Sequence, residues 1–240
     1  MKIHTQQGEQ IKKISFMVLM VWMVYLIITG LIIGIGYFVY NIPVGTLTRD
    51  PNITLKGPFY VGALSNLANI LWTAAASLCF FGFFYLNQYN RESLFRRFLL
   101  NAGIFTTMLL LDDLYLGHEA LYPLYLHIDE RIIYLIYFSY ALYFLIRFRK
   151  IILQTEYLII FSSILLLSLS VLIDVIHDDE RFKFLLEKIP VFNTSKYFRI
   201  YLEDTLKGMG ILTWLLYFSR VTLLKCIPSE KFMDTGTIKK

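Results

Sequence analysis

The chain has 240 residues, 57% of them hydrophobic and 17% aromatic, with a formal net charge of +5 and a mean hydropathy of +0.57. Apolar residues at this density, gathered in long blocks, exclude an ordinary soluble domain and predict an all-α, polytopic transmembrane helical bundle. No linker or low-complexity tract breaks the sequence, so residues 1–240 read as a single integral membrane domain.

Six runs approach the roughly 20 residues that a helix needs to cross about 30 Å of hydrocarbon. In chain order they are Ile14–Tyr40, Val61–Gln88, Phe98–Leu116, Ile132–Phe148, Tyr157–Ile176 and Arg199–Leu224. The first is far longer than the core of a secretory signal and reads as an uncleaved signal anchor. Gly30 and Gly34, four apart within it, suit close approach of a second helix, as small residues do in membranes. Gly34-Ile-Gly36 lacks the strand-to-helix setting of a dinucleotide loop. Residues 41–60 carry Pro43, Gly45, Pro51, Gly57 and Pro58 and predict an irregular outer loop. Residues 178–196 alternate charges with Phe182, Phe184, Leu185, Leu186 and Ile189, the pattern of a short amphipathic helix on the outer surface. Asn52-Ile-Thr and Asn193-Thr-Ser have the form of glycosylation sequons. Cys79 falls mid-span and Cys226 at a span end, too far apart in depth to pair.

Charge then orients the bundle. With both termini cytoplasmic, the inner side collects Lys12-Lys13, Arg96-Arg97, Arg147 to Lys150, Lys225 and Lys239-Lys240. The positive-inside rule favours this direction, with the protein as a multi-pass component of the cell membrane. Most of the 18 acids fall on the outer side or in the outer half of a helix. The basic surface therefore faces anionic membrane lipids, and nucleic acid is not an expected partner.

Ionisable side chains in or near a bilayer are expensive and mark functional sites by default. Asp112, Asp113, His118 and Glu119 close the third run, Asp174, His177 and Asp178 close the fifth, and Glu203, Asp204 and Lys207 lie near the start of the sixth. These positions share one outer depth, where the second run adds Ser65, Asn66 and Asn69. On a continuous helix Asp112 and Glu119 share a face, and Asp174, His177 and Asp178 share another. Glu203 and Asp204 stand four and three residues before Lys207, which predicts an ion pair within one helix. The candidate catalytic residues are Asp112, Asp113, Glu203, Asp204 and Lys207. The candidate metal ligands are Asp113, His118, Glu119, Asp174, His177 and Glu203. Carboxylates with one or two imidazoles suit divalent ions, and an oxygen-rich shell favours Mg²⁺, Mn²⁺, Ca²⁺ or iron, with zinc as a further choice.

HExxH, GxSxG, P-loop and CxxC motifs are absent, as is the late HxxxH of the alkaline-ceramidase-like membrane hydrolases, so no known family's site is carried over. Ser162, Ser163, Ser168 and Ser170 read as helix-bonding hydroxyls. Three functions fit the pattern. The first is a metal-assisted hydrolase acting on a lipid or amphipathic substrate. The second is a proton- or cation-coupled transporter or channel, which would need the polar path to continue through apolar inner halves. The third is a non-catalytic assembly protein that docks other membrane proteins. The ligand in view is a lipid or small molecule.

Overall fold

The computed structural model describes residues 2–49, 51–58, 60–89, 93–178 and 196–226; the side chains of 2–15, 17, 21, 176–178, 196–199, 225 and 226 are not among those described. The expected surface helix over 178–196 lies almost wholly outside the described residues, as does the Asn193 sequon. All regular structure among them is helical.

Two units divide the chain, one before and one after the Val61–Gly62 bond. The first holds α1 (Lys2–Phe38) and two short helices, α2 (Val44–Thr48) and α3 (Pro51–Thr54). The loop read as irregular is thus partly helical, because Pro43 and Pro51 have a φ suited to a helix start. α1 ends before Asn41, which takes a left-handed conformation, and the Ile42 amide then bonds back to the Gly36 carbonyl. Gly30 and Gly34 have open space around them; the close approach is made at Gly36, by Leu47 of α2.

The second unit is a bundle of α4 (Ala63–Gln88), α5 (Ser93–Leu114), a π-helical segment (Gly117–Tyr125), α6 (Glu130–Leu153), α7 (Tyr157–Asp178) and α8 (Lys196–Cys226). Among the described residues, five stretches are long and apolar enough to cross a membrane: Val18–Phe38, Ala63–Gln88, Ser93–Leu114, Glu130–Leu153 and Tyr157–Val175. α8, the sixth expected span, is long enough but is diluted by Glu203, Asp204 and Lys207 in its first half.

α8 is nonetheless central. Its Ile211, Trp214, Tyr217, Phe218 and Val221 are fully or almost fully buried, and they recur at the three- and four-residue spacing of one helical face. That face meets Ala68, Trp72, Ala75, Cys79 and Leu86 of α4 and Phe98, Leu99, Ala102 and Phe105 of α5 in one core. Cys79 is a free, buried thiol. Phe98 lies against three rings from two other helices, 5.3 Å from Phe144 and 5.5 Å from Phe148 of α6 and 5.8 Å from Phe218 of α8. This aromatic mass fills the bundle around the C-terminal half of α6.

Small and polar groups fix the helix crossings. The Ser163 hydroxyl donates to the Gly210 carbonyl at 2.8 Å, Ser170 to the Glu203 carbonyl at 3.1 Å, and Trp214 Nε1–H to Thr106 Oγ1 at 3.0 Å. Ser162 instead bonds back within its helix, to the Leu158 carbonyl. A methyl added at Gly210 would stand 2.8 Å from Leu167 Cγ and 3.1 Å from its backbone nitrogen, whereas nothing lies within 4 Å at Gly208. Gly210→Ala is therefore expected to cost about 1–3 kcal/mol by overpacking, while Gly208→Ala is neutral or stabilising by up to about 1 kcal/mol. Unfolding midpoints of the two variants in one detergent check this; equal shifts would contradict the packing.

The helices form an open arc. α7 packs extensively on α8, α8 on α4 and α4 on α5, while α6 is held chiefly by α5 and the π segment. The gap between α6 and the α7–α8 pair is a cavity of about 460 Å³.

Candidate functional site

Four elements bring their charged ends to one end of this cavity. α5 and α7 arrive by their C-termini and α6 and α8 by their N-termini, so the antiparallel course of the chain gathers the acids at one level. Asp112, Asp113, His118, Glu119, Asp174, Glu203 and Lys207 all line the same space. Asp204 does not, and its side chain faces outward, exposed. His177 lies on the last turn of α7, but its side chain is outside those described.

The π segment determines how Asp112 and His118 meet. α5 stops at Leu114, Leu116 turns into the left-handed region at φ 51°, ψ 47°, and the chain continues with π-helical winding from Gly117. That break removes the continuous helix on which Asp112 and Glu119 were expected to share a face. The partner of the Asp112 carboxylate is instead the His118 imidazole, whose Nδ1 is hydrogen-bonded to Asp112 Oδ2. Both side chains are buried, while Glu119 is more than half exposed at the cavity mouth and lies 3.7 Å from His118 Nε2. Burial opposes a charge on His118, but the Asp112 hydrogen bond and the negative charges of Asp112 and Glu119 outweigh it, so its pKa is raised above the ordinary value. Asp112 Oδ1 has no hydrogen-bond partner among the described residues and sits against Gly117.

A second buried charge has a different partner from the one its spacing suggested. Lys207 Nζ is 2.8 Å from Asp113 Oδ1, on another helix. Asp113 Oδ2 accepts from Trp72 Nε1–H at 2.9 Å, so both oxygens are satisfied. The expected pair of Lys207 with its own helix is corrected accordingly. Asp113, only about a tenth exposed, is the more deeply buried carboxylate and needs the cation more than exposed Asp204 does.

The third group was only half read. The ligand atoms of His118, Glu130 and Asp174 lie within 4.8 Å of one another, and this trio could hold a metal ion. His118 and Asp174 are among the ligands expected from the sequence; Glu130 is not. Of the other expected ligands, Asp113 is bound to Lys207 and Trp72, while Glu119 and Glu203 line the cavity outside the trio.

Tyr134 joins the trio. Its hydroxyl stands 2.8 Å from Glu130 Oε1 and 2.6 Å from Asp174 Oδ2. One O–H donates to only one acceptor, so the phenol holds the two carboxylates close together while giving its proton to one of them at a time. The donor set fits a metal on a second ground: a ligating imidazole almost always gives its other ring N–H to a carboxylate, a backbone carbonyl or a water. Asp112 is that carboxylate for His118 Nδ1, which leaves Nε2 for an ion. One imidazole and two carboxylates form an oxygen-rich set suited to Mg²⁺, Mn²⁺, Ca²⁺ or iron more than to a thiolate-seeking metal.

Away from this acidic end the cavity is apolar. Phe105, Leu109, Ala141, Leu142, Leu145 and Leu167 are among its walls, and buried Phe144 and Trp214 form its floor. The α4 side chain that reaches the site is Trp72, not Ser65, Asn66 or Asn69. Trp72 carried no sequence signal as a site residue, since aromatic residues are everywhere in this chain. Glu130 and Tyr134 did offer one, being four apart at the start of a span.

At the opposite end of the bundle, Arg220 of α8 makes a two-nitrogen pair with Glu156, in the connection between α6 and α7. The Arg220 hydrogen bonds hold the Glu156 carboxyl below its ordinary pKa.

Residues 16–221 match the family DUF8692, described as a domain of unknown function, and the chain belongs to that family. No curated protein and no solved structure matches it.

Proposed function

We propose that this protein is a metal-assisted membrane hydrolase acting on an amphipathic substrate, with six spans, both termini cytoplasmic and its site at the outer interface of the cell membrane. The observation that carries the reading is the His118, Glu130 and Asp174 trio standing at the polar end of an otherwise apolar cavity. Grease on one side and a hard-ion ligand set on the other suit a molecule with an apolar body and a hydrolysable polar link. The acids of α5, α7 and α8 at one level, with basic clusters at the far helix ends, support the orientation.

A divalent ion bound there supplies Lewis-acid polarisation of a carbonyl or phosphoryl oxygen and a water of lowered pKa. The chain's own groups do the rest. Asp112 is a positioning residue that holds the His118 ring and its tautomer. Tyr134 holds the carboxylates of Glu130 and Asp174 at a fixed separation. Glu203 lines the cavity and acts as general base toward a water beside the trio. The Asp113–Lys207 pair, fixed by Trp72, gives a buried dipole at the entrance to the apolar part. Asp204 has no part in the reaction.

Carboxylic ester and amide substrates, offered to purified protein in nanodiscs with each divalent ion in turn, test this. Turnover is expected only with metal, is abolished by chelator and falls 100-fold or more in Asp174→Asn. Turnover that persists unchanged in chelator or in Asp174→Asn would reject the proposal.

A further inference from the structure

We infer that the cavity takes a monoacyl amphiphile directly from the surrounding leaflet, through a side opening between α6 and α7, with its single chain held against the aromatic floor. The inference rests on the hydrolase reading for what happens at the polar end, and on separate observations for the chain.

The opening has lips. Phe138 and Leu142 on α6 and Val171 and Leu172 on α7 line the cavity and are also exposed, at 65%, 47%, 39% and 51%. A wall residue that is also on the outer surface of the bundle marks a place where the cavity meets its surroundings. These four lie within the stretches apolar enough for the hydrocarbon region, so what they meet there is lipid tails. α6 is held by α5 and the π segment and has no extensive packing on α7, which leaves this seam unsealed.

The length also fits. From Tyr134, at the acidic end, to Leu145, at the deep end, is eleven residues of α6, or about 16 Å at the helical rise. One leaflet of a bilayer has a hydrocarbon depth of about 15 Å, half of the whole. A tail can therefore slide in parallel to its neighbours while its polar link reaches the trio. The volume, about 460 Å³, lies in the range of drug-sized ligands, roughly 300–1,000 Å³, and matches one acyl chain better than two. Buried Phe144 and Trp214 close the deep end, so the tail stops inside the bundle.

The test uses full-length protein in phosphatidylcholine nanodiscs and a monoacylglycerol carrying a photoreactive diazirine near the chain end. Saturable labelling is expected on Leu109, Leu145 or Leu167, competed by unlabelled monoacylglycerol and not by glycerol. Ala141→Trp, which fills the cavity, and Leu172→Trp, which blocks an exposed lip without touching the core, should each cut labelling tenfold or more. Leu135→Trp, on α6 but outside the cavity lining, should leave it unchanged. Unfolding midpoints identify any variant that has lost its fold, and Leu172→Trp keeps the test decisive if Ala141→Trp does. Labelling confined to outward residues such as Leu135, without saturation, or labelling indifferent to Leu172→Trp, would overturn the inference. His118→Ala separates the two readings: it should abolish metal binding and leave chain labelling intact. Metal-dependent turnover without saturable labelling removes only the tail pocket, and saturable labelling in a protein that binds no metal removes only the hydrolase.

Discussion

Lys207→Met should destabilise the protein by about 1–3 kcal/mol, the loss expected when a largely buried carboxylate is left without its charged partner. Asp113 is about one tenth exposed and has two partners, the Lys207 ammonium at 2.8 Å and the Trp72 indole N–H at 2.9 Å. Without the ammonium, a carboxylate remains with a single neutral donor in a low-dielectric setting, and leaving such a group unsatisfied costs more than the pair contributes when whole. Two companion variants make the prediction specific. Asp113→Asn combined with Lys207→Met removes both charges and should recover most of the loss. Glu203→Gln, which would have been equally damaging had Lys207 paired within its own helix, should have a far smaller effect on stability. Unfolding midpoints in detergent read all three, and a Lys207→Met loss left uncorrected by the double substitution would contradict the cross-helix pair.

Gly117→Ala should weaken metal binding 10–100-fold, the usual consequence of losing a group that orients a ligand, with a stability loss of about 1–3 kcal/mol from overpacking. A methyl at position 117 would run into Asp112 Oδ1 and stand 3.0 Å from its Cγ and 3.1 Å from its Cα. The backbone contact cannot swing aside, so the carboxylate must, and it carries the His118 hydrogen bond with it. In an Asp112→Ala background the obstacle is gone, and adding Gly117→Ala should then cost little. Binding isotherms for Mn²⁺ and thermal midpoints on the four proteins complete the cycle; additive effects would show that the two positions do not meet.

These variants also mark where the sequence was readable. Long apolar runs are legible as helices near their observed limits, five of them long and apolar enough to cross a membrane among the described residues, because crossing hydrocarbon demands length and composition that are visible residue by residue. The level of the acids was legible for the same reason: antiparallel helices put the C-terminal ends of α5 and α7 beside the N-terminal ends of α6 and α8. Partnership was not. The spacing of Glu203 and Lys207 is ideal for an intrahelical pair, yet Lys207 reaches Asp113, since burial makes a remote carboxylate the more demanding partner. Helical periodicity likewise put Asp112 and Glu119 on one face, but Leu116 enters the left-handed region, a conformation that costs a non-glycine residue roughly 1–2 kcal/mol and that nothing in Tyr115-Leu116-Gly117 advertises. Glu130 escaped notice because it sits one turn from solvent, where an acid ordinarily needs no explanation; only Tyr134 and Asp174 packed against it make it a ligand candidate.

Metal content decides the central claim most directly. Full-length protein purified without chelator, passed over a desalting column and analysed by mass spectrometry for bound elements, should carry one divalent ion per chain, and His118→Ala and Asp174→Ala should carry none while still unfolding cooperatively, His118→Ala at a lowered midpoint because it leaves the buried Asp112 carboxylate without its partner. A wild-type protein that arrives without metal and takes up no Mg²⁺, Mn²⁺, Ca²⁺, iron or zinc on titration, or substituted proteins that bind as tightly as wild type, would contradict a metal centre at His118, Glu130 and Asp174.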